Sequence, residues 1–348
     1  MSSFAFSFGG DDIEETADDL TKLSLSPPAA AETGTLAPRR ASSSAFPVAN
    51  QPLLPATTHS LSSLLAGLPS TIAYSTLPIT VDGEPTIALP RRELWDVRVQ
   101  LMAEDEEVGL GNADVKTGIY EGGFKSWESS VDLVRELAGE GWKDRRRFLE
   151  LGCGTALPSL AILQRRLQKG GEEKLELGFA DYNPSVLRLV TVPNILLAWA
   201  ALRPTPDGEE PFEEEGELDI DEELVAEFTA SLEKQGITLS FFSGAWGTEF
   251  ATLVEAAPRD TSAELLVLAA ETIYSPAALE SFAEVLMRIL GTEKGGEAMV
   301  GAKKVYFGVG GSMEDFCVKV EGLGGAVERI REEEDGVRRE VVMVRTKE

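Results

Sequence analysis

The stretch Phe148–Leu160, FLELGCGTALPSL, constrains this chain most. An apolar run, a glycine turn and a Leu-Pro helix start read as a buried strand that turns sharply into a helix. Gly152 and Gly154 carry no Cβ, so the backbone there can approach a small polar ligand held at a helix N-terminus. Around this turn the chain alternates. Strands are expected at RRFLELGC, KLELGFADY, ITLSFFSGAW, ELLVLAAETIY and EAMVGAKKVYFGV. Helices are expected between them, over SLAILQRRLQKG, NPSVLRLVTVPNILLAWAAL (kinked or broken near Pro193), EFATLVEAA and AALESFAEVLMRILG. ELLVLAAETIY is almost continuously apolar, as a central parallel strand buried on both faces must be. The chain closes with two strands joined at Asp335–Gly336, a hairpin signal. The fold class is α/β, a mostly parallel sheet with an antiparallel C-terminal hairpin.

The segments before the turn are of other kinds. Residues 1–68 are rich in Ser, Ala and Pro and are expected to be mostly disordered, with FAFSFGG and the following DDIEETADDLTKL as a docking motif or small helix. Residues 69–116 are expected as a β extension. TIAYSTLPI and TIALPRRELWDVRVQLMAE read as strands, the second alternating through Leu94, Asp96, Arg98 and Gln100. From 117 to 348 runs the main domain. It opens with TGIYEGGFKSWESS, a lid or mouth segment that turns helical near Lys125, with Trp127, Val131, Val134 and Leu137 on one face. Residues 204–235 break the rhythm. Twelve acids lie between Asp207 and Glu227 with no Lys or Arg among them, which reads as a surface insertion or a partly disordered loop.

Composition narrows the function. A net charge of −27 over 348 residues speaks against direct nucleic-acid binding and suits either a basic protein partner or simple solubility. Two cysteines make neither a disulfide framework nor a zinc cluster, and fit a reducing compartment. No run is long and apolar enough for a membrane span, and no signal peptide is apparent. The single histidine, His59, sits in a Ser/Thr/Pro-rich stretch and reads as a linker residue, so a Ser-His-Asp mechanism is not expected.

A glycine turn after the first strand serves dinucleotides and S-adenosylmethionine (AdoMet) alike. The dinucleotide fingerprint G-x-G-x-x-G fails here, with Leu157 where the third glycine belongs, and no Gly-Lys-Ser/Thr ending marks a phosphate loop. The form E-L-G-C-G-T-A is instead similar to the first motif of seven-strand AdoMet methyltransferases, with Ala156 in place of a third glycine. Asp181 ends the second strand, where an acid can accept from both ribose hydroxyls; its other reading is a helix cap, a role Asn183 before Pro184 fills better. Ser243, Gly244 and Ala245 end the third strand and are candidates for the adenine pocket, with Trp246 either there or in the core.

TGIYEGGFKSWE, LELGCGTALPSL, ADYN, FFSGAW, ETIYSP and YFGVGGS, in this order, resemble the eukaryotic, and in the MSSFAFSFGG start the fungal, protein-histidine N-methyltransferases of the Rossmann-like seven-strand AdoMet-dependent class. The resemblance covers residues 114–348. It implies methylation of an imidazole nitrogen in the third protein of the large ribosomal subunit, a basic protein. It implies AdoMet contacts at Ser126, Trp127, Glu128, Ser129 and Ser130, at Gly152 with Gly154 beside it, at Asp181, Tyr182 and Asn183, at Ser243, Gly244 and Ala245, and at Ala270. The expected setting is the cytoplasm and nucleus, as a monomer. Glu271 and Tyr274, closing the fourth strand, are the candidate catalytic residues, with Trp127 and Phe307 as an apolar wall and Glu121 and Glu128 as further acids at the mouth. Glu271 is equally a candidate for the AdoMet amino group or an ion pair, and Tyr274 for a pocket cap. Three other readings stay open: a lysine methyltransferase, since ETIY also fits an acid-x-x-aromatic pattern; a non-enzymatic acidic chaperone of a basic ribosomal protein; and a small-molecule methyltransferase.

Overall fold

The computed structural model describes residues 53–81, 86–108, 121–142, 144–171, 173–203, 212–307 and 310–347. The expectations for residues 1–52, including FAFSFGG, for the TGIY of the first motif and for residues 204–211 lie outside them. In chain order the elements are β1 (Thr57–His59), α1 (Leu61–Leu65), β2 (Thr71–Ile79), β3 (Ile87–Arg92), α2 (Leu94–Val108), α3 (Glu128–Leu137), β4 (Arg147–Leu151), α4 (Leu157–Lys169), β5 (Leu175–Asp181) and α5 (Pro184–Val186). A π turn (Leu187–Thr191) leads into α6 (Val192–Ala200), β6 (Glu215–Asp219), α7 (Glu222–Lys234), β7 (Ile237–Ser243), α8 (Thr248–Ala256) and β8 (Leu265–Ala270). α9 (Pro276–Thr292), β9 (Glu297–Lys303), α10 (Met313–Gly322), β10 (Gly325–Glu333) and β11 (Arg339–Thr346) complete the chain.

Eight strands form the main sheet in the order β1-β7-β5-β4-β8-β9-β11-β10. β7, β5, β4, β8 and β9 run parallel, and β11 lies antiparallel between β9 and β10. This is the mostly parallel sheet with an antiparallel C-terminal hairpin that the sequence leads one to expect, with β1 added at one edge. β8 shows why: Leu265, Val267 and Ala269 pack into one core, Leu266 and Leu268 into the other. Both faces must therefore be covered, by α3, α4, α6 and α7 on one side and by α8, α9 and α10 on the other.

Four expectations are corrected. The run after β3 is a helix: Leu94, Val97 and Leu101 pack as i, i+3, i+7 against Phe124, Val186, Leu189 and Val190, so the period is helical where alternation was expected. The acidic stretch is not simply a surface insertion. Its first strand, β6, joins β2 and β3 in a separate antiparallel sheet, and α7 buries Leu224, Phe228 and Leu232 while its acids face solvent. Residues 53–68 are not tail: β1 adds an eighth strand to the edge of β7, and α1 buries Leu64 and Leu65. His59 is part of that pairing, its Nε2 2.7 Å from Ser243 Oγ. A strand of only three polar residues leaves no apolar alternation to read.

The expected break near Pro193 is a π turn. Pro193 has no N–H for the Leu189 carbonyl four residues back. That carbonyl instead accepts from Arg92 Nη1 at 2.9 Å, and Asn194 accepts the Arg92 N–H at 2.7 Å. The Asn194 amide also donates to the Thr155 carbonyl at 3.1 Å, tying this helix to the glycine turn.

Gly244 holds the N-terminal strap. Its φ is +106°, and a Cβ there would sit 2.3 Å from the Pro55 carbonyl oxygen. Gly244→Ala should therefore cost about 1–3 kcal/mol of backbone strain and contact and loosen residues 53–59 from β7. Hydrogen exchange should show lost protection at Thr57–His59 with the central strands unchanged; intact protection there would show that this packing does not hold the strap.

Candidate active site at the carboxyl edge of the sheet

β4, β5 and β8 are neighbours and end at one edge, where a cavity of about 320 Å³ opens. Its floor is the glycine turn. Gly152, Gly154 and Ala156 all take left-handed backbone, at φ +67°, +48° and +60°. Ala156 is the N-cap of α4 and bears a cost of about 1 kcal/mol that glycine would avoid. A Cβ on Gly152 would project to 2.8 Å from Thr272 Cγ2 and 3.6 Å from the Trp246 ring. A Cβ on Gly154 would meet the Gly123 carbonyl at 3.1 Å, so the GG of the first motif packs directly on the turn.

Acids stand around this floor. Asp181 accepts from the Asn183 and Gly154 N–H groups at 3.1 and 3.3 Å, and burial raises its pKa to about 6. Glu150 accepts from the Ser159 N–H and hydroxyl at 3.1 and 2.5 Å, and burial raises it to about 8. The neighbouring Cys153 thiol is pushed well up by burial, which makes it a poor nucleophile.

Glu271 follows β8 in left-handed backbone, φ +56°. Its N–H donates to the Gly301 carbonyl at 2.9 Å. Its carboxylate takes short hydrogen bonds from the hydroxyls of Ser129 and Tyr306. Burial raises its pKa; those two donors and Lys303 oppose the rise. Tyr306 stands in a loop packed against the ETIY segment after β8, since a Cβ on Gly311 would lie 2.1 Å from the Ile273 carbonyl.

Of the residues expected at the site, Trp127, Ser130, Gly152, Gly154, Asp181, Tyr182, Asn183, Ala270, Glu271 and Tyr274 line the cavity. Ser129 reaches it through Glu271, and Ser126 supports Thr155, oxygen to oxygen 3.2 Å. Glu128 faces Arg339 of β11 at 3.8 Å. Ser243, Gly244 and Ala245 are not among the lining residues. They are covered by the N-terminal strap, where the Ala245 N–H donates to the Leu54 carbonyl at 2.9 Å. Trp246 is the residue of that strand end that lines the cavity, while also packing on the core. Phe307 is 86% exposed and forms no wall; Tyr306 takes its place. Glu150, Thr155, Thr272, Lys303 and Tyr306 also line the cavity, beyond the residues the sequence singles out. The acid at Glu150 belongs to the glycine motif itself and was the readable signal. Lys303 and Tyr306 lie around a loop whose geometry no spacing reveals.

These residues fit AdoMet. A glycine cradle opens where a Cβ would intrude, Asp181 keeps lone pairs beyond its two backbone donors, and the buried Thr272 hydroxyl has no hydrogen-bond partner among the described residues. The sheet order and this site define a Rossmann-like AdoMet-dependent methyltransferase. No family model matches the chain. Histidine protein methyltransferase 1 of Schizosaccharomyces pombe is 36% identical over 243 residues, 67% of this chain and 69% of its own length. That of Saccharomyces cerevisiae is 36% identical over 255 residues, 66% and 67% of the two chains, and the Bos taurus homolog is 34% identical over 212 residues, 60% and 51%. The chain belongs to the histidine protein methyltransferase 1 family.

Two sets of variants test the site. Gly152→Arg fills the cradle, and Asp181→Ala removes a charged acceptor whose two hydrogen bonds would contribute about 1.5–3 kcal/mol each. Each should weaken AdoMet binding at least about 100-fold in calorimetry, with circular dichroism unchanged; unaltered affinity in both would remove this cavity from cofactor binding. Glu150, without ligand, is favoured in its protonated form by the fold. The stability this contributes is present below the ordinary carboxylate pKa and is lost as pH rises toward about 8. Glu150→Gln removes that loss, so its unfolding temperature relative to the parent should climb between pH 5 and pH 8. A constant offset over that range would show that Glu150 is not titrating there.

Proposed function

We propose that this chain methylates an imidazole nitrogen of a histidine in a basic ribosomal protein, the third protein of the large subunit. The relatives' names support histidine as the acceptor. The sequence resemblance supports the ribosomal target, and the net charge of −27 supports a basic partner reached through long-range attraction. On this reading the enzyme works as a monomer in the cytoplasm and nucleus and does not itself bind nucleic acid.

The observation that carries the proposal is Glu271, a buried carboxylate fixed by two hydroxyl donors at the wall of the cavity. AdoMet supplies an electrophilic methyl on a sulfonium and leaves as a thioether. An imidazole of pKa about 6.5 already offers a lone pair at pH 7, so no strong base is needed. What the reaction needs is one tautomer in one orientation. Glu271 accepts the hydrogen bond of the ring N–H, which turns the other nitrogen toward the methyl, and then takes the proton as the ring becomes positive. A carboxyl whose pKa is raised suits that proton transfer. Ser129 and Tyr306 hold the carboxylate, while Trp127 and Tyr274 wall the cavity against water.

Glu271→Gln keeps the shape and loses the charge. Its kcat should fall about 10²–10³-fold with AdoMet affinity unchanged; an unaltered rate would remove Glu271 from the mechanism. The function itself is tested by mass spectrometry of ribosomal proteins from cells with and without the enzyme. One methyl group on a histidine of the third large-subunit protein is expected. Methylation of lysine instead, or a stable complex with no methyl transferred, would replace the proposal with the corresponding alternative.

A further inference from the structure

Lys303 ends β9 inside the same cavity. Its ammonium lies over two aromatic rings, 5.3 Å from the centroid of Trp127 and 6.0 Å from that of Tyr306. Two ring faces beside a buried carboxylate are the ordinary means of receiving a cationic side chain, such as lysine. Here both faces are already satisfied by a cation of the enzyme's own.

We propose that Lys303 is a specificity residue that restricts the methyl acceptor to a neutral ring. The inference rests on the reading of the site as a histidine methyltransferase. A lysine acceptor, with pKa about 10.4, arrives as an ammonium at pH 7. It meets a fixed like charge and finds the aromatic faces occupied, which is exclusion by repulsion as well as by lost attraction. An imidazole arrives largely neutral and meets neither penalty. The same ammonium disfavours the imidazolium form of a bound ring and so enlarges the fraction that carries a free lone pair.

The other charged groups around Lys303 do not duplicate this effect. Glu271, at the end of β8, and Glu128, at the start of α3, are acids. Arg339 stands opposite Lys303 in the β9–β11 register, but its guanidinium is committed to Asp132 at 2.7 Å. Glu150 and Asp181 line the cavity at the glycine turn, and Lys125 lines it from the segment before α3. Tyr274 and Tyr306 are the phenols on the wall.

The test uses the full chain, its Lys303→Met and Lys303→Arg variants, labelled AdoMet and total large-subunit ribosomal protein. Hydrolysates are resolved into methylhistidine and methyllysine, and kcat is followed against pH. Loss of the ammonium raises the pKa of the bound ring. The acid limb of Lys303→Met should therefore move to higher pH by about one unit, methyllysine should rise at least tenfold over the parent, and Lys303→Arg should behave as the parent. Affinity for S-adenosylhomocysteine, read by calorimetry, should stay unchanged in both variants. A parent that labels histidine, with a Lys303→Met variant whose limb is unmoved and which gains no methyllysine, overturns this inference alone, whatever happens to the total rate. Lost S-adenosylhomocysteine affinity would place Lys303 in the cofactor site and also overturn it. A parent that labels lysine overturns both this inference and the reading beneath it.

Discussion

Removing a carboxylate from water costs several kcal/mol unless donors replace the water, and Glu271 is such a group. Its two hydroxyl donors come from elements far apart in sequence, Ser129 on α3 and Tyr306 after β9. α3 must therefore lie close over the sheet. Asp132, one turn beyond Ser129, is nearly fully buried and bonds Arg339 of β11 at 2.7 Å. Beneath them Gly301 of β9 leaves the space, since a Cβ there would sit 3.1 Å from the Ser129 carbonyl. The antiparallel β11 thus has a role beyond extending the sheet: it anchors the helix that supplies one of the two hydroxyl donors to Glu271.

The same acid is held by backbone geometry that a non-glycine residue seldom adopts. Left-handed φ at Glu271 costs about 1–2 kcal/mol. It is offset by the Glu271 N–H bond to Gly301 and by the close packing of Gly311 on the Ile273 carbonyl. Glu271 and Tyr306 are therefore held against one another. The specificity of the ETIY and YFGVGG motifs follows from this: one motif supplies the acid and the other the glycine that lets the two loops meet.

Much of this was legible in the sequence, and the reason differs from place to place. β8 was readable because burial on both faces forces an unbroken apolar run, and the glycine turn because positive φ selects glycine at Gly152 and Gly154. Asp181 was readable from its place at a strand end. The strap was not, because β1 pairs by backbone through Thr57, Thr58 and His59, and composition marks such residues as linker. α2 was misjudged because its apolar positions are few and its alternation accidental, so burial of Leu94 and Val97 decides the period only once Phe124 and Val190 are in place. Lys303 was missed because a lysine at a strand end is unremarkable until Trp127 and Tyr306, remote in sequence, bring their rings to it.

The acidic stretch shows how a charge run can mislead about partners. Twelve acids in twenty-one residues suggest a binding arm. Yet Asp221 is a helix cap, accepting from the Leu224 N–H at 2.7 Å, and Glu222 and Glu223 occupy the first turn, where a helix dipole favours negative charge. Glu215, Glu217 and Asp219 take the exposed positions of β6, while Leu218 packs beneath. Each of these six acids has a local reason that involves no partner. Attraction of a basic protein then need not act through a dedicated acidic arm. On the proposed function it would arise from the summed field of the whole surface, which would bring the partner close and leave the choice of side chain to the cavity beside Glu271 and Lys303.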